Sequence, residues 1–304
     1  METVPNFSEG RDAAVLERLR AALSEVPGVF LLDHSADADH NRSVFTLAGA
    51  PEPLVEALLS AAAVAVESID LRRHRGAHPR IGALDVAPFI PLRGGAWADC
   101  LAAAEAFADE LWARLGVPSY FYGRAARREE RRRLEAVRQG GFEGLLEAAP
   151  RDPARRPDVG GPRLHPSAGA TAVGVRDFLI AFNVNLRTAE PAPARRIARL
   201  IRESSGGYPA VKALGLELPG QGLTQVSMNL TDFRRTGLAV VVERIRREAA
   251  LDGVECAGSE LIGLAPRAAF EGASFEELLL PPSTAERILE RRLEAAGAPA
   301  GSLD

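Results

Sequence analysis

Residues 73–86 read RHRGAHPRIGALDV and join a helical run to a strand-like run. Pro79 disfavours the α region for His78, so His74 and His78 are not expected to share a helix face, although their i, i+4 spacing is that of a helical zinc pair. The stretch predicts an irregular, ordered loop that presents an imidazole with a pKa near neutrality among arginines. The alternative is a surface loop with a structural histidine. The Gly, Pro and Arg context favours a functional loop.

The composition is that of an ordinary globular protein. The 304 residues suggest about two domains, and 46% hydrophobic with 26% charged residues predicts a substantial core. A net charge of −4 gives no case for nucleic-acid binding, and Lys212 is the only lysine. Cys100 and Cys256 form no Cys-x-x-Cys pair, which favours a reducing cytoplasm. With neither a signal-peptide pattern nor an apolar run of about 18 residues, secretion and a membrane span are not expected.

Short motifs follow one another along nearly the whole chain. In order, they are VPNFSEGR (4–11), DHNRSV (39–44), HRGAHPRIGALDV (74–86), VP (117–118), YG (122–123), PD (157–158), GP (161–162), AGAT (168–171), FLIAFNVNL (178–186) and QVSMNL (225–230). Through them the sequence resembles the glutamate formiminotransferase family over about residues 2–265. The resemblance implies a folate-dependent one-carbon-group transferase of histidine degradation, with tetrahydrofolate as co-substrate.

Two runs of elements share the order β-α-β-β-α-β. The first has predicted strands at about 2–7, 29–33, 44–47 and 84–90 and helices at 12–26 and 51–68; the second has strands at 178–186, 211–218, 223–230 and 254–262 and helices at 192–203 and 232–251. We therefore predict an α+β fold of two ferredoxin-like subdomains, residues 1–177 and 178–304, with helices covering mostly antiparallel sheets. The family resemblance implies the same architecture.

Insertions separate the two runs. Helices are predicted at about 97–115 and 127–147, and the arginine run 127–133 is interpreted as a solvated helical face, because acids alternate with the arginines. The Pro- and Gly-rich stretch 150–169 has the composition of a linker, but a long ordered loop is more often functional. The resemblance implies folate binding there, and the candidate residues are Gly161, Pro162, His165, Pro166, Ser167 and Gly169.

The resemblance implies transfer of a formimino group from N-formimino-L-glutamate to tetrahydrofolate, giving 5-formimino-tetrahydrofolate and L-glutamate. One histidine with a pKa near the working pH can accept the proton of the attacking nitrogen and return it to the leaving nitrogen. We assign this general acid/base role to His78. His74 is the alternative, although a structural role suits it better.

Both substrates carry carboxylates, which guanidinium groups bind in bidentate fashion. Arg42 and Arg80 are the candidates, with structural ion pairs as the alternative. Asn6, Asn183 and Gln225 are expected either to hydrogen-bond the pterin or the glutamate, or to cap sheet edges. Asp85 is placed to orient a histidine or an arginine.

The cationic amidine of the substrate calls for a carboxylate partner. Mammalian family members have an aspartate where Ser35 stands, and Asp37, Asp39 and His40 lie just downstream. Asp39 is our candidate for this contact. The loss of the aspartate keeps open a rival function, formyl transfer between N-formyl-glutamate and tetrahydrofolate. A non-catalytic folate-binding protein is a further alternative.

No metal is expected, because the cluster of His34, Asp37, Asp39 and His40 matches no closed zinc pattern. The expected partners are small-molecule substrates and a second copy in a homodimer, since split sheets leave exposed edge strands. Nucleic acid and membrane are not expected partners. The motifs end near Pro266, so a cyclodeaminase is expected to be a separate protein.

Overall fold

The computed structural model describes residues 1–76, 78–92 and 96–298. Ala77 of the histidine motif and residues 299–304 of the predicted C-terminal subdomain lie outside these ranges. The chain forms two compact units. The N-terminal unit comprises Met1–Arg176 and the residues from Ala296, and the C-terminal unit comprises Asp177–Ala295. Among the helices of the described ranges, none has the length and apolar character needed to cross a bilayer.

The N-terminal unit confirms the predicted order of elements and adds to it. Its elements are β1 (Glu2–Thr3), β2 (Asn6–Phe7), α1 (Ala13–Ser24), β3 (Val29–Asp37), β4 (Arg42–Gly49), α2 (Pro51–Ser68), β5 (Leu84–Ile90), α3 (Trp97–Leu115), β6 (Ser119–Gly123), α4 (Leu134–Val137), α5 (Gly141–Ala148) and β7 (Thr171–Val175). The first part of its sheet has the strand order β3, β4, the β1/β2 pair and β5, and each strand is antiparallel to the next. Beyond β5, the sheet continues with β7 and then β6, which are parallel strands that the sequence did not predict.

Helices α1, α2 and α3 pack on one face of this sheet. The predicted N-cap Asp12 accepts hydrogen bonds from the amides of Ala14 (2.9 Å) and Val15 (3.3 Å), which satisfies donors that a helix start leaves unpaired. Leu19 and Leu23 lie one helical turn apart and are fully buried. This layer therefore holds the main apolar core of the unit.

The insertion covers part of the other face. Val137 and Leu145 pack in one buried cluster with Val86 and Tyr120 of the sheet. The insertion is less helical than predicted, with a 3-10 turn followed by the short helices α4 and α5. The interpretation of its arginine run as a solvated face is wrong for Arg131, whose side chain is 5% exposed and lies 2.8 Å from the carboxylate of Asp158. The buried carboxylate draws this arginine into the interior.

The C-terminal unit repeats the predicted order. Its elements are β8 (Ile180–Leu186), α6 (Pro191–Ile201), β9 (Val211–Leu218), β10 (Leu223–Leu230), α7 (Leu238–Leu251), β11 (Cys256–Ile262) and α8 (Leu289–Ala295). The sheet is antiparallel with the order β11-β8-β10-β9, and the α+β class is therefore confirmed. The predicted mostly helical tail contains short 3-10 turns and α8 within the described residues.

Strand alternation gives the C-terminal sheet two different faces. Phe182, Val184, Val226 and Met228 are buried on the face that α6 and α7 cover. The side chains of the opposite face belong to the alternate residues, and we call it the amide face. Its members are Ala181, Asn183, Asn185, Lys212, Leu214, Leu216, Gln225, Ser227, Asn229, Glu260 and Ile262.

Candidate active site

His74 fixes the loop that carries His78. Its Nδ1 accepts a hydrogen bond from Nε of Arg80 (3.0 Å), and its Nε2 lies 3.0 Å from the carbonyl oxygen of Asn41. A neutral ring with its proton on Nε2 satisfies both contacts, and burial lowers the pKa of His74. Both ring nitrogens are engaged, which favours the structural role for His74.

Arg80 already binds a carboxylate of the protein. Its Nη1 and Nη2 donate to the two carboxylate oxygens of Glu143 (3.0 and 2.8 Å), and Nη2 also donates to the carbonyl of Leu71 (3.1 Å). The Arg80 side chain is 14% exposed. These contacts favour the structural ion pair, and a role of Arg80 in binding substrate carboxylates stays a prediction.

His78 is partly buried and faces a narrow pocket. Nη1 of Arg42 donates a hydrogen bond to Nε2 of His78, and the rings of His78 and His40 lie 6.2 Å apart between centroids. A guanidinium can only donate, so Nε2 is the acceptor, and its lone pair becomes available to a substrate proton when Arg42 turns to another acceptor. The residues that line the pocket are Phe7, Ser8, His40, Asn41, Arg42, His74, His78, Arg80 and Asp85.

The pocket keeps the imidazole unprotonated. Burial, together with the positive charges of Arg42 and Arg138, lowers the pKa of His78 to about 4. Burial and the charge of Arg138 likewise lower the pKa of Arg42 to about 10. The expectation of a pKa near neutrality is therefore corrected, because the sequence did not show two guanidinium groups beside the ring. At neutral pH, His78 is in its base form.

Asp85 supports the same loop from β5. Its Oδ1 accepts a hydrogen bond from the amide of Ile81 (2.7 Å), and its Oδ2 accepts from Nη2 of Arg138. The side chains of Asp85 and Arg138 are 3% and 14% exposed. The predicted orienting role of Asp85 thus has an arginine as its partner.

The candidate folate stretch runs against the His78 loop. His165 and Gly169 pair through their backbones (2.9 and 3.0 Å), and the Leu71 amide donates to the Ser167 carbonyl (2.9 Å). Nδ1 of His165 accepts from the amide of Ala168 (3.0 Å), which closes the bend, and burial lowers the pKa of His165. Gly161 and Pro162, joined by a cis peptide bond, precede this bend, and Pro166 lies within it.

Two glycines permit this close approach. Gly82 and Gly169 form a β-bridge. A Cβ on Gly82 would lie 2.1 Å from the carbonyl oxygen of Ala170, and one on Gly169 would lie 2.1 Å from that of Ile81. Gly169 also has φ of +71°, a conformation that side chains disfavour. The stretch is therefore packed in place against the site, unlike a linker.

The carboxylates after β3 have separate tasks. Asp37 closes the turn, because its Oδ1 accepts from the amides of Asp39 (2.9 Å) and His40 (2.8 Å). Its Oδ2 lies 2.9 Å from Nδ1 of His40. Asp39 and Ser35 are exposed. Asp39 as partner of the amidine stays a prediction.

Asn6 is buried in β2, where its Nδ2 donates to the carbonyl of Val4 (2.7 Å). This contact fits the alternative in which Asn6 caps a sheet edge.

Asn183 and Gln225 meet on the amide face of the C-terminal unit. Both donate from their amide nitrogens to Oε1 of Glu260 at 2.9 Å. Gln225 also donates to Oδ1 of Asn185 at 2.9 Å. Three amides and one carboxylate thus form a connected polar group, and each member is held by a neighbouring strand.

Arg138, Glu143 and Glu260 were missed from the sequence. Arg138 and Glu143 are 53 and 63 residues from their partners, and their local pattern is that of an exposed helix. Glu260 could have been found, because strand pairing places it opposite Asn183 on the same face of the sheet. Among the described residues, no group of three or more His, Cys, Asp or Glu side chains is arranged to hold a metal ion. The expectation that no metal is needed stays a prediction.

Comparisons with known proteins show the family of the chain. A model described as the formiminotransferase domain, N-terminal subdomain, matches residues 1–176, and one described as the formiminotransferase domain matches residues 181–275. The fold and the site therefore define a member of a transferase class, and the chain belongs to the formiminotransferase family.

Individual relatives are similar over most of this chain. The glutamate formimidoyltransferase of Streptococcus pyogenes serotype M1 is 45% identical over 266 residues, which cover 88% of this chain and 89% of the relative. That of Thermoplasma acidophilum is 40% identical over 97% of this chain and 98% of the relative. The formimidoyltransferase-cyclodeaminase of Rattus norvegicus is 44% identical over 90% of this chain and 52% of the relative. The chain thus spans about half the length of this last relative.

Proposed function

We propose that the chain is an enzyme that transfers the formimino group from N-formimino-L-glutamate to tetrahydrofolate, giving 5-formimino-tetrahydrofolate and L-glutamate. Two relatives that it matches over nearly their full length are named glutamate formimidoyltransferase. The observation that carries the proposal is the unprotonated imidazole of His78 in a pocket beside the guanidinium of Arg42. A base and a carboxylate ligand side by side are what this transfer requires.

In the proposed mechanism, His78 moves one proton between two nitrogens. N5 of tetrahydrofolate attacks the formimino carbon, forming a C–N bond, and N5 loses its proton to His78. The bond between that carbon and the glutamate nitrogen then breaks as His78 returns the proton to the leaving nitrogen. The low pKa of His78 keeps the ring ready for the first step and makes its protonated form a strong acid for the second.

Arg42 is the preferred ligand for a substrate carboxylate. Its Nε is buried and has no hydrogen-bond partner among the described residues, so the guanidinium has unused donor capacity. Arg80 is largely occupied by Glu143. The stretch with Gly161, Pro162, His165, Pro166, Ser167 and Gly169 is proposed to bind folate, and its packing against the His78 loop supports this. Asn6, Asp39, Asn183 and Gln225 complete the proposed binding residues.

The identity of the donor is the second question. Asp85 is the carboxylate of the pocket, and both its oxygens are already engaged. A neutral formyl group needs no carboxylate partner, so formyl transfer from N-formyl-glutamate is the second candidate. Offering both donors at equal concentration to the purified protein with tetrahydrofolate separates the two functions. Tight folate binding without turnover of either donor would instead indicate a non-catalytic folate-binding protein.

The decisive variant is His78→Ala. We expect its rate of 5-formimino-tetrahydrofolate formation to fall at least ~100-fold, the scale of lost acid–base catalysis. The control is His34→Ala, which removes an exposed ring stacked on Phe45 (5.9 Å between centroids) and should retain the activity of the unmodified protein. Full activity of His78→Ala would remove His78 from its role.

We also propose that each unit is ferredoxin-like. In both, the last strand of the β-α-β-β-α-β order lies beside the first, and the first lies beside the third, all antiparallel. The predicted boundary between residues 177 and 178 stays our proposal, and the division of the compact units between Arg176 and Asp177 lies one residue from it. A cytoplasmic homodimer that passes its product to a separate cyclodeaminase stays our expectation, and light scattering of the purified protein tests the dimer.

A further inference from the structure

The insertion between the two runs of elements reaches the His78 loop through Arg138. This residue directly follows α4, and its backbone amide donates to the carbonyl of Leu134 (3.0 Å). Its carbonyl accepts from the amide of Gly141 (2.9 Å), so the backbone of Arg138 is held on both sides. The side chain extends from this fixed point to Asp85.

Asp85 divides its two oxygens between Arg138 and the loop. One oxygen binds Arg138, and the other accepts from the amide of Ile81, three residues after His78. A carboxylate this deeply buried requires a compensating charge and hydrogen bonds. The same insertion holds the loop at a second point, where the Phe142 amide donates to the carbonyl of Arg80 (2.9 Å). Arg138 therefore belongs to a clamp on the segment just after His78.

We propose that Arg138, through Asp85, is a positioning residue that fixes the segment after His78 and thereby the place of the imidazole beside Arg42. This rests on the proposed function, in which His78 is the base. A base must be free of its proton before the substrates react, and the positive charge of Arg138, held in place by Asp85, opposes protonation of the ring.

The charges around His78 come from every element packed against it. Arg138 lowers the pKa of both His78 and Arg42, whereas Asp85 acts on His78 in the opposite direction. Removal of Arg138 would also leave Asp85 without its cationic partner, so both changes raise the pKa of His78. The charged and titratable groups concerned are Arg42 and His40 from the β4 side, Asp85 from β5, Arg138 after α4, and His74 and Arg80 from the loop itself.

The alternative is an ion pair that only stabilises the fold, and the insertion contains a matched example. Arg131 and Asp158 are both 5% exposed and lie 2.8 Å apart. This pair is absent from the residues that line the His78 pocket within the described ranges. Arg131→Met is therefore the control for Arg138→Met, since both remove a buried guanidinium from the same segment.

The test is a titration of the His78 ring by nuclear magnetic resonance in the protein without substrates, followed by the pH dependence of kcat/KM. We expect Arg138→Met to raise the pKa of His78 by about one pH unit or more and to move the acidic limb of kcat/KM the same way. Asp85→Asn should lower that pKa, since it removes the opposing charge. Arg131→Met should leave it in place.

Arg138→Lys separates the effect of charge from the effect of positioning. It also replaces Arg138→Met in the kinetic test if the methionine variant does not fold. Because lysine keeps the charge and loses the planar fork, we expect an unchanged pKa of His78 with a kcat about tenfold lower. Loss of activity in Arg138→Met with no movement of the pKa or the acidic limb, or full kcat in Arg138→Lys, would overturn the proposal. The titration needs no turnover, so its result can be interpreted even if the protein does not catalyse the proposed reaction.

Discussion

The two units share one order of helices and strands but present their functional side chains in opposite ways. In the N-terminal unit, the charged groups lie at the first residues of β4 and β5, on a loop and on an insertion, where Arg42 binds His78 and Arg138 binds Asp85. In the C-terminal unit, the polar group lies on the strands themselves and consists mainly of neutral amides. The comparison indicates that a shared fold leaves the chemistry to the segments added to it.

The reason is physical. A strand places every second side chain on one face at fixed spacing, which suits neutral donors and acceptors that need only position. Shifting the pKa of a histidine requires burial and nearby charges, and the strand end with Arg42, the His78 loop and the covering insertion with Arg138 supply both. We infer that proton transfer belongs to the N-terminal unit and that the amide face of the C-terminal unit contributes to substrate recognition.

The largest expected effect is on the free energy of unfolding. It compares a buried ion pair of the N-terminal unit with a more exposed one of the C-terminal unit. Arg131→Met leaves Asp158 buried without its partner and should lower the free energy of unfolding by about 3–5 kcal/mol. Arg196, whose side chain is 34% exposed, pairs with Glu248 and Asp252 in the C-terminal unit, and Arg196→Met should cost about 1 kcal/mol. Urea unfolding followed by circular dichroism measures both. Equal losses of unfolding free energy in the two variants would show that burial does not determine how much these ion pairs stabilise their units.

An intermediate effect tests the amide face. Glu260→Gln removes the charge that accepts from Asn183 and Gln225, and we expect the KM of one substrate to rise about tenfold with kcat nearly unchanged. The substrate whose KM rises is the one that this face binds. Glu217→Gln is the control, because Glu217 lies on the helix-covered side and pairs with Arg195 (2.7 Å). If both substrates keep their KM in Glu260→Gln, the recognition role fails.

The smallest effect concerns the first helix of each crossover. Asp12→Ala removes the side-chain cap of α1 and should cost about 1 kcal/mol. Glu190, at the same place before α6, makes no capping hydrogen bond with its side chain, and Pro191 opens that helix, so Glu190→Ala should be close to neutral. Thermal unfolding of the two variants gives the comparison, and a loss in Glu190→Ala matching that of Asp12→Ala would contradict it.

Much of the fold followed from sequence patterns, because most elements have one covered and one open face. The predicted bounds of α2, β5, β9 and β10 match the structure residue for residue. The strands β6 and β7 escaped prediction because they are buried on both faces, so their sequences SYFYG and TAVGV show no alternation. Both strands are also only five residues long, whereas the equally buried β5 is a seven-residue run.

The site was predictable only where its residues stand in recognisable motifs. The loop of His78 and its Arg42 partner stand in recognisable motifs, and the structure places them together. The long-range pairs of Arg138 and Arg131 could not be found, because nothing local distinguishes these arginines from their exposed neighbours. The pKa of His78 was misjudged for the same reason.

Lys212 lies on the amide face, two residues along β9 from Leu214, whose register partners are Ser227 and then Asn183. As the sole lysine of the sequence, it carries the one side-chain amine that an amine-selective dye can acylate. A fluorophore attached there would sit beside the proposed recognition surface without any engineered cysteine. The protein thus carries a natural labelling position from which substrate binding can be followed by fluorescence.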